Sequence, residues 1–394
     1  MTAGTERPAA VRDRVVELTR RLVRIPTENP PGETRAACDV VAEVLEGAGF
    51  SVRYVEDAPG FVSVIGEHVF SEDGPTLVFN GHLDVVPVGE SREDWTHDPF
   101  GGEIDDGRLY GRGSLDMKGA VSAVLVAAES AAADGELSGR LVVMAVADEE
   151  AGGERGTGVI ARQGLVSGDG AVVVEPGDGD IVTSHRGLCF VELTTHGRST
   201  HATKPEEGVN AVQIMVDVLA AMRTLSLSHA PHPVLGGPSV VPGTVVHGGQ
   251  KVNVIPDRCT AMMDIRTVPG MSRATVVREI SEHAAACGID SDALTVSVAS
   301  WGEPGDTDDD ARIVTVCADA FEAEFGHRPR VRAMAAYTDG GWLSNVAEIP
   351  TVMAFGPGEV AGCHVVDEHV LVDELERYAR IYRSVIDRFL GREH

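Results

Sequence analysis

The sequence predicts an α/β fold in which a mixed, mostly parallel sheet flanked by helices is interrupted by an inserted ferredoxin-like α+β domain. Short apolar runs at residues 77–79, 141–147 and 171–174 are each followed by acidic or histidine residues, which is typical of buried parallel strands and their loops. Between residues 187 and 298 the pattern becomes strand, helix, two strands, helix and strand, the order of a ferredoxin-like unit. A chain of 394 residues is also longer than one ordinary domain.

We therefore expect a main domain built from residues 1–186 and 299–394, with an insert at 187–298. The insert is predicted to contain, in order, a strand at 188–195, a helix at 209–225, strands at 243–247 and 258–266, a helix at 272–287 and a strand at 294–298. Its first helix places Met215, Val218, Leu219, Met222 and Leu225 on one face, the spacing of a helix that packs on a sheet. The main domain starts with helical spacing in residues 1–24 and resumes with a helix near 311–325, a strand at 350–355 and a helix at 371–390.

The composition excludes several classes of protein. A net charge of −28 opposes binding to nucleic acid, which requires a basic surface. No segment reaches membrane-spanning length, and the charged residues 1–24 lack the apolar core of a secretory signal. We therefore expect a cytoplasmic protein that does not bind membranes. The six cysteines form no Cys-x-x-Cys pair, which indicates reduced thiols.

Acidic and histidine side chains follow the predicted strands at the ends where a ligand crevice is expected. His82 and Asp84 follow the first strand, Glu149 and Glu150 the second, and Glu175 the third. Since residues two apart in an extended chain point the same way, the Asp84 carboxylate is predicted to orient the His82 imidazole. Asp116 lies in a glycine-punctuated loop before an apolar helical stretch, and His364 lies near the carboxyl end of the chain. Together these residues predict one site for two metal ions.

The motifs that carry these residues resemble one known family along nearly the whole chain. They are Asn-Gly-His-Leu-Asp-Val-Val-Pro at 80–87, Gly-Arg-Gly-Ser-Leu-Asp-Met-Lys-Gly at 111–119, Asp-Glu-Glu at 148–150, Glu-Pro at 175–176, Gly-Pro-Gly at 356–358, and His364 followed by Asp367 and Glu368. This pattern resembles the aminoacylases, acetylornithine deacetylases, succinyl-diaminopimelate desuccinylases and carboxypeptidase G type enzymes. The resemblance implies a co-catalytic zinc amidohydrolase or peptidase.

The resemblance also implies a role for each residue. Asp116 would bridge two zinc ions, with cobalt or manganese as alternatives. His82 and Glu175 would complete one ion's ligands, and Glu150 and His364 the other's. Glu149 would be the general acid and base. The family further implies a cis peptide bond after Asp116, and it uses only oxygen and nitrogen donors, so Cys363 is not expected to be a ligand.

In the insert, residues 197–205 and 208–211 match the family as well. There, the residue at the position of His201 reaches the neighbouring subunit's site and stabilises the oxyanion, and residues at the positions of Asn253 and Arg266 contact substrate from a lid. The insert is accordingly expected to be a lid and dimerisation domain, and the chain a homodimer. An arginine fits a substrate carboxylate, but Arg266 could equally pair with Asp264.

Substrate contacts are also expected at Thr338 and Gly356. The segment Thr338-Asp339-Gly340-Gly341-Trp342 stands where desuccinylases carry Ser-Asp-Gly-Arg-Phe, so Gly341 replaces an arginine. This departure weakens a desuccinylase assignment, and Trp342 is either an apolar wall of the site or a core residue.

We expect an amidohydrolase that cleaves the amide bond of a small N-acyl amino acid in the manner of a deacetylase or aminoacylase. A carboxypeptidase or dipeptidase on the same scaffold, acting on short peptides, is the first alternative, and a non-catalytic binding protein is a remote one. Glu149 distinguishes an enzyme from a non-catalytic binding protein, because a binding protein has little use for an unligated base beside a full set of ligands.

Overall fold

The computed structural model describes residues 8–134 and 136–391. The chain divides into two compact units. The first unit runs up to His185 and continues with Gly305–Met334 and the part from Thr338 onward, whereas the inserted unit is Arg186–Pro304 with Ala335–Tyr337.

The helices of eight or more residues and the strands are numbered in chain order, with one shorter helix, α4. The helices are α1 (Pro8–Val23), α2 (Arg35–Gly47), α3 (Gly119–Ala132), α4 (Thr157–Arg162), α5 (Ala211–Met222), α6 (Arg273–Ala286), α7 (Arg312–Phe325) and α8 (Val372–Leu390). The strands up to the insert are β1 (Ser51–Ala58), β2 (Phe61–Val69), β3 (Thr76–His82), β4 (Glu103–Asp105), β5 (Arg108–Tyr110), β6 (Arg140–Val146), β7 (Gly170–Val173) and β8 (Ile181–His185). The remaining strands are β9 (Gly187–His196), β10 (Thr200–His201), β11 (Ser239–Gly248), β12 (Val254–Ile255), β13 (Arg258–Thr267), β14 (Leu294–Gly302), β15 (Gly305–Asp306), β16 (Val331–Met334), β17 (Thr351–Val352) and β18 (His369–Leu371).

The first unit is built on a six-stranded sheet in the order β1-β2-β6-β3-β7-β17. The pairs β6/β3, β3/β7 and β7/β17 are parallel, and the two pairs that attach β1 and β2 are antiparallel. The side chains of Leu77, Val78 and Phe79 on β3 are at most 1% exposed, as expected for a strand covered by helices on both faces. The predicted mixed, mostly parallel sheet flanked by helices is confirmed.

Helix α3 begins at a point where only glycine fits. A Cβ on Gly119 would lie 2.3 Å from the Ser114 carbonyl oxygen and 2.9 Å from the Leu375 side chain. The absence of this Cβ lets α3 start directly after the turn that carries Asp116 and pack against α8. Gly119 thus helps to hold the predicted ligand Asp116 at the start of α3.

The predicted strand at 350–355 is divided between two sheets. Only Thr351 and Val352 pair with β7, while Ala354 forms an antiparallel bridge with Val182. The Met353 N–H donates to the Val182 carbonyl, and the Phe355 N–H donates to that of Val173. An apolar run therefore indicates burial here but does not define the strand, because neighbouring residues satisfy their backbone groups on different sides.

The inserted unit has a four-stranded antiparallel sheet in the order β11-β13-β9-β14 with helices α5 and α6, which is the ferredoxin-like arrangement. On α5, Met215, Val218 and Met222 are buried. The helix starts at Ala211 rather than at the predicted residue 209, because the Asn210 side chain accepts hydrogen bonds from the backbone N–H groups of Val212 and Gln213 and caps the helix.

All six cysteines are free. Among residues 8–134 and 136–391, no helix combines the length and the apolar character needed to cross a membrane.

Candidate metal centre

The predicted ligands of the first unit meet at the carboxyl edge of the parallel strands. His82 is the last residue of β3. Because β3 lies between β6 and β7, Glu149 and Glu150 follow the strand on one side of it and Glu175 follows the strand on the other. The sheet order alone therefore places His82 between two sets of carboxylates.

His82 faces one group of acids through its Nε2 atom. That nitrogen lies 3.0 Å from Asp116 Oδ1 and 3.3 Å from Glu175 Oε1. Glu149 is slightly farther away, with Oε2 at 3.9 Å. All four side chains are at most 11% exposed, so this part of the site is enclosed.

His364 faces the other side of Asp116. Its Nε2 atom lies 3.2 Å from Asp116 Oδ2 and 3.1 Å from Glu150 Oε2. The two oxygens of Asp116 are thus directed at two different imidazoles, one on β3 and one on a loop near the carboxyl end. The half-exposed His364 side chain leaves this part of the site open to solvent.

The residues present fit metal ions. His82, Asp116 and Glu150 form one group, and His82, Glu149 and Glu175 a second, in which the ligand atoms all lie within 4.8 Å of one another. Zinc binds nitrogen and oxygen at about 2.0–2.2 Å, so tetrahedral ligand atoms around it are separated by about 3.3 Å. The observed spacings of 3.0–3.3 Å agree with that value.

Crowded negative charge is the main electrostatic property of the site. Burial, reinforced by the neighbouring Glu175, raises the pKa of Glu149 well above its usual value. Burial and the charge of Asp116 likewise raise the pKa of Glu175 to about 7 and also raise that of Glu150. For Asp116, burial acts in the same direction, but hydrogen bonds from His364 and His82 outweigh it and lower the pKa. Such a cluster is stabilised when cations neutralise the carboxylates.

The sequence predicted that the Asp84 carboxylate orients the His82 imidazole, but in the structure the imidazole bonds to the Asp84 backbone instead. The His82 Nδ1 atom lies 2.8 Å from the backbone carbonyl oxygen of Asp84 and 3.7 Å from its carboxylate. The carboxylate instead accepts hydrogen bonds from the backbone N–H groups of Glu149 and Glu150 and from the Asn29 side chain. The backbone stays paired beyond β3, since the Leu83 N–H donates to the Val146 carbonyl and Val85 forms a parallel bridge with Glu28. The prediction fails because the three donors from Glu149, Glu150 and Asn29 hold the Asp84 carboxylate.

The loop that carries Asp116 is fixed by a residue whose role the sequence did not reveal. Glu368 is 1% exposed, and its Oε1 atom accepts hydrogen bonds from the backbone N–H groups of Gly113, Leu115 and Asp116. Its other oxygen pairs with the buried Arg112 guanidinium. The peptide bond that follows Asp116 is cis, as the resemblance implied. Glu368 therefore positions Asp116, although the two residues are 252 positions apart in the sequence.

We expect Glu368→Ala to destabilise the metal-free protein by about 3–5 kcal/mol, because it leaves the Arg112 charge buried without a partner. Urea denaturation of the metal-free protein measures this loss. Glu368→Gln is the matched control, since its amide oxygen can still accept the three N–H groups, and it should lose less. A cost below about 1 kcal/mol for the alanine variant, typical of a surface ion pair, would contradict the assigned role.

The segment before His364 is tied to the segment after Glu175. Gly356 forms a parallel bridge with Pro176, and a Cβ on Gly356 would lie 2.2 Å from the Val174 carbonyl oxygen. Farther on, Asp178 accepts a hydrogen bond from the Val360 N–H and donates its own N–H to the Gly358 carbonyl. Gly356 is thus required for close backbone approach, and these contacts hold two ligand-bearing segments together.

Thr338 and Trp342, two other residues singled out in the sequence, are buried. The Thr338 hydroxyl donates to the Met353 carbonyl and accepts the Gly340 N–H, which stabilises the turn. Trp342 is 2% exposed and donates its indole N–H to the Gly152 carbonyl. Of the two interpretations of Trp342, the structure supports the core residue.

His201, Asn253 and Arg266 lie in the inserted unit. The exposed His201 is on β10, which pairs with β12, and the Asn253 carbonyl accepts the Ala202 N–H. The His201 Nδ1 atom lies 2.9 Å from the hydroxyl of Thr203. The Arg266 guanidinium is paired with the Asp264 carboxylate at 2.9 Å, which is the alternative to a substrate contact that the sequence left open.

Comparison with known proteins places the chain in a family. Residues 78–388 match the sequence profile of peptidase family M20/M25/M40. The chain is 32% identical over 391 residues to succinyl-diaminopimelate desuccinylase 2 of Ruegeria sp. (strain TM1040), covering 96% of this chain and 95% of that relative. It is 31% identical over 391 residues to the succinyl-diaminopimelate desuccinylase of Methylobacterium radiotolerans, covering 96% and 97%.

Solved structures share the fold at lower identity. An M20-family metallo-carboxypeptidase from Sulfolobus solfataricus superposes with a TM-score of 0.81 at 18% identity, covering 96% of this chain and 99% of that one. A dipeptidase from Saccharomyces cerevisiae superposes with a TM-score of 0.76 at 15% identity, covering 97% and 98%. The predicted family is confirmed: the chain belongs to peptidase family M20/M25/M40 and is a metal-dependent hydrolase of amide bonds.

Proposed function

We propose that this chain is a di-zinc amidohydrolase that removes the acyl group from a small N-acyl amino acid. The observation that carries the proposal is the arrangement of Asp116, whose two oxygens face different histidines, with Glu149 beside one of them. When ionised, the four clustered carboxylates carry a negative charge equal in size to the positive charge of two divalent cations. Imidazole and carboxylate donors without thiolate fit zinc, with cobalt or manganese as alternatives.

The protein's residues would divide the work as follows. His82, Glu175 and Asp116 would hold one ion, and Glu150, His364 and Asp116 the other. Bound there, the ions would polarise the scissile carbonyl and lower the pKa of water.

Glu149 is the proposed general base and acid. It would take a proton from the attacking water and then donate it to the leaving amine. Its burial, reinforced by the neighbouring Glu175, raises its pKa above that of an exposed glutamate. The hydrogen bond from its backbone N–H to Asp84 fixes the turn that presents it.

The proposed assembly is a homodimer formed through the inserted unit, with His201 acting in the partner's site. Strand β11 is an edge strand of the inserted sheet, and Val241, Val245 and Val246 on it are 44–53% exposed. An exposed edge with apolar side chains favours pairing with a second copy. Asn253 and Arg266 remain proposed substrate contacts, and a cytoplasmic location remains a prediction.

We expect His201→Ala to lower kcat by about 10²–10³-fold, the usual cost of losing one oxyanion donor, with unchanged metal content. Mixing this variant with Glu149→Gln separates the two possible placements of His201. If His201 acts across the dimer, mixed dimers contain one intact site, and about a quarter of the wild-type activity returns. Absence of recovery in confirmed mixed dimers would contradict action in trans, and unchanged kcat of the single variant would contradict any role in catalysis.

The substrate class is tested by a panel of N-acetyl and N-succinyl amino acids and dipeptides, assayed with the zinc-loaded protein. The relatives above are named desuccinylases, but Gly341 stands where their pattern carries an arginine. We therefore expect N-acetyl amino acids to give a higher kcat/KM than N-succinyl ones. Preferred cleavage of dipeptides would replace the proposal with the peptidase alternative.

A further inference from the structure

A cavity of about 480 Å³ lies in the first unit, among residues that belong to neither metal-ligand group. Its size falls within the range of about 300–1,000 Å³ that is usual for small-molecule sites. Its lining includes three aromatic and three acidic residues: Phe321, Phe325, Tyr378, Glu359, Glu374 and Asp180.

Aromatic rings form one wall of the cavity. Phe321 and Phe325 stack with their ring centroids 4.4 Å apart, and Tyr378 packs against Phe325. The guanidinium of Arg377 lies 5.0 Å from the Phe325 ring centroid. This wall therefore already binds one cation on an aromatic face.

Two carboxylates of the cavity form no ion pair of the kind that neutralises the third. Asp180 is neutralised by Arg330 and Arg332, but within the described part of the chain neither Glu359 nor Glu374 forms an ion pair. Glu374 is half-buried, and burial and the nearby Glu359 charge raise its pKa, although the Gly358 N–H and the Arg377 charge oppose the shift. A cation between the two carboxylates would relieve their repulsion.

The hydroxyl of a buried tyrosine supplies an independent indication of a ligand. Tyr378 is only 2% exposed and lines the cavity. In residues 8–134 and 136–391, no hydrogen bond is found for its hydroxyl group. The hydroxyl oxygen is not among the fully buried side-chain atoms without a partner, so it reaches the open space of the cavity, where a polar group of a ligand can bond to it.

We propose that this cavity binds a small organic cation of the alkylammonium type, with the ammonium group between Glu359, Glu374 and the Tyr378 hydroxyl and the carbon chain on the phenylalanine wall. A metal ion fits less well. The acids of the cavity are absent from the groups whose ligand atoms lie within 4.8 Å of one another, as far as the described residues extend. An organic cation spans such separations and uses the aromatic faces, which a hydrated metal ion does not.

The test titrates zinc-loaded protein with pentylammonium and with its uncharged isostere 1-pentanol, by saturation-transfer NMR at 0.15 M salt, where long-range attraction to the acidic surface is screened. Pentylammonium should bind with a Kd of about 1 mM or tighter, and 1-pentanol at least tenfold more weakly. Glu374→Gln should weaken amine binding at least tenfold, and Tyr378→Phe should weaken it measurably. The control Glu46→Gln changes the net charge equally at an exposed site on α2 and should leave the affinity unchanged.

Equal binding of the amine and the alcohol would overturn the proposal, because the cavity would then recognise only apolar surface. Full affinity in both Glu374→Gln and Tyr378→Phe would overturn it as well, since the amine would bind elsewhere, the metal centre included. If Glu374→Gln fails to fold, Tyr378→Phe, which removes a single oxygen, decides the question alone. The proposal does not depend on the hydrolytic function, so either can fail without the other.

Discussion

Glu149→Gln should reduce kcat by about 10²–10⁴-fold, the usual contribution of a general acid and base, while the protein keeps its full complement of metal. The reason is geometric. Glu149 is buried in the group with His82 and Glu175, but at 3.9 Å its carboxylate is farther from His82 Nε2 than those of Asp116 and Glu175. Glutamine preserves the size of the side chain and removes its ability to accept and release a proton. Steady-state kinetics together with metal analysis by mass spectrometry measures both quantities.

The adjacent residue provides the matched control. Glu150 Oε2 lies 3.1 Å from His364 Nε2, so Glu150→Gln should lose or weaken one metal ion and lose activity as a consequence. The two variants differ by one position in the sequence and should differ in metal content. Equal metal loss in both, or wild-type turnover by Glu149→Gln, would contradict the division of roles.

The second large effect is expected for Asp116→Asn. An amide presents one oxygen and a nitrogen without a free lone pair, so it cannot face both histidines with acceptor atoms as Asp116 does. Loss of a residue that only hydrogen-bonds to a metal ligand weakens metal binding by up to about 100-fold. Because Asp116 is proposed to be a ligand itself, we expect the zinc affinity to fall by more than this and hydrolysis to fall with it. Competition with a chromophoric chelator measures the affinity.

Asp148→Asn is a suitable control for that variant. Asp148 is also buried near the site, and burial raises its pKa to about 6, but its carboxylate accepts the Arg155 N–H and belongs to neither group of candidate ligands. Its substitution should leave the stoichiometry of bound zinc unchanged. If Asp116→Asn binds two zinc ions as tightly as the wild type, Asp116 is not a bridging ligand.

The sequence predicted the sheet and its acidic edge because both depend on short-range patterns. Apolar runs before His82, before Glu149 and before Glu175 correspond to β3, β6 and β7, and parallel strands bring their carboxyl ends to one edge without further information. The order β6-β3-β7, which decides that His82 is central, depends on tertiary pairing and was supplied only by the structure.

Contacts between distant segments could not be predicted in the same way. Glu368 was part of a recognised motif, but nothing near it in the sequence indicates that its carboxylate accepts three N–H groups from the loop of Asp116. The error at Asp84 has a similar cause. The period-two argument places the two side chains on one side of the chain, but it does not reveal that N–H groups of Asn29, Glu149 and Glu150 compete for the Asp84 carboxylate.

Where the sequence left two possibilities open for Trp342, burial distinguishes them. Trp342 could be a wall or a core residue, and its 2% exposure places it in the core. Residue identity alone could not decide this case, because both outcomes use the same aromatic side chain. Arg266 pairs with Asp264, and its contact with substrate remains a proposal.

Anomalous X-ray diffraction from crystals grown with zinc, recorded on both sides of the zinc absorption edge, tests the metal centre most directly. The account predicts two peaks about 3.5–4 Å apart, one beside His82 and Glu175 and the other beside Glu150 and His364, with Asp116 between them. A single peak distant from Asp116, or no peak at these side chains in zinc-saturated crystals, would contradict it.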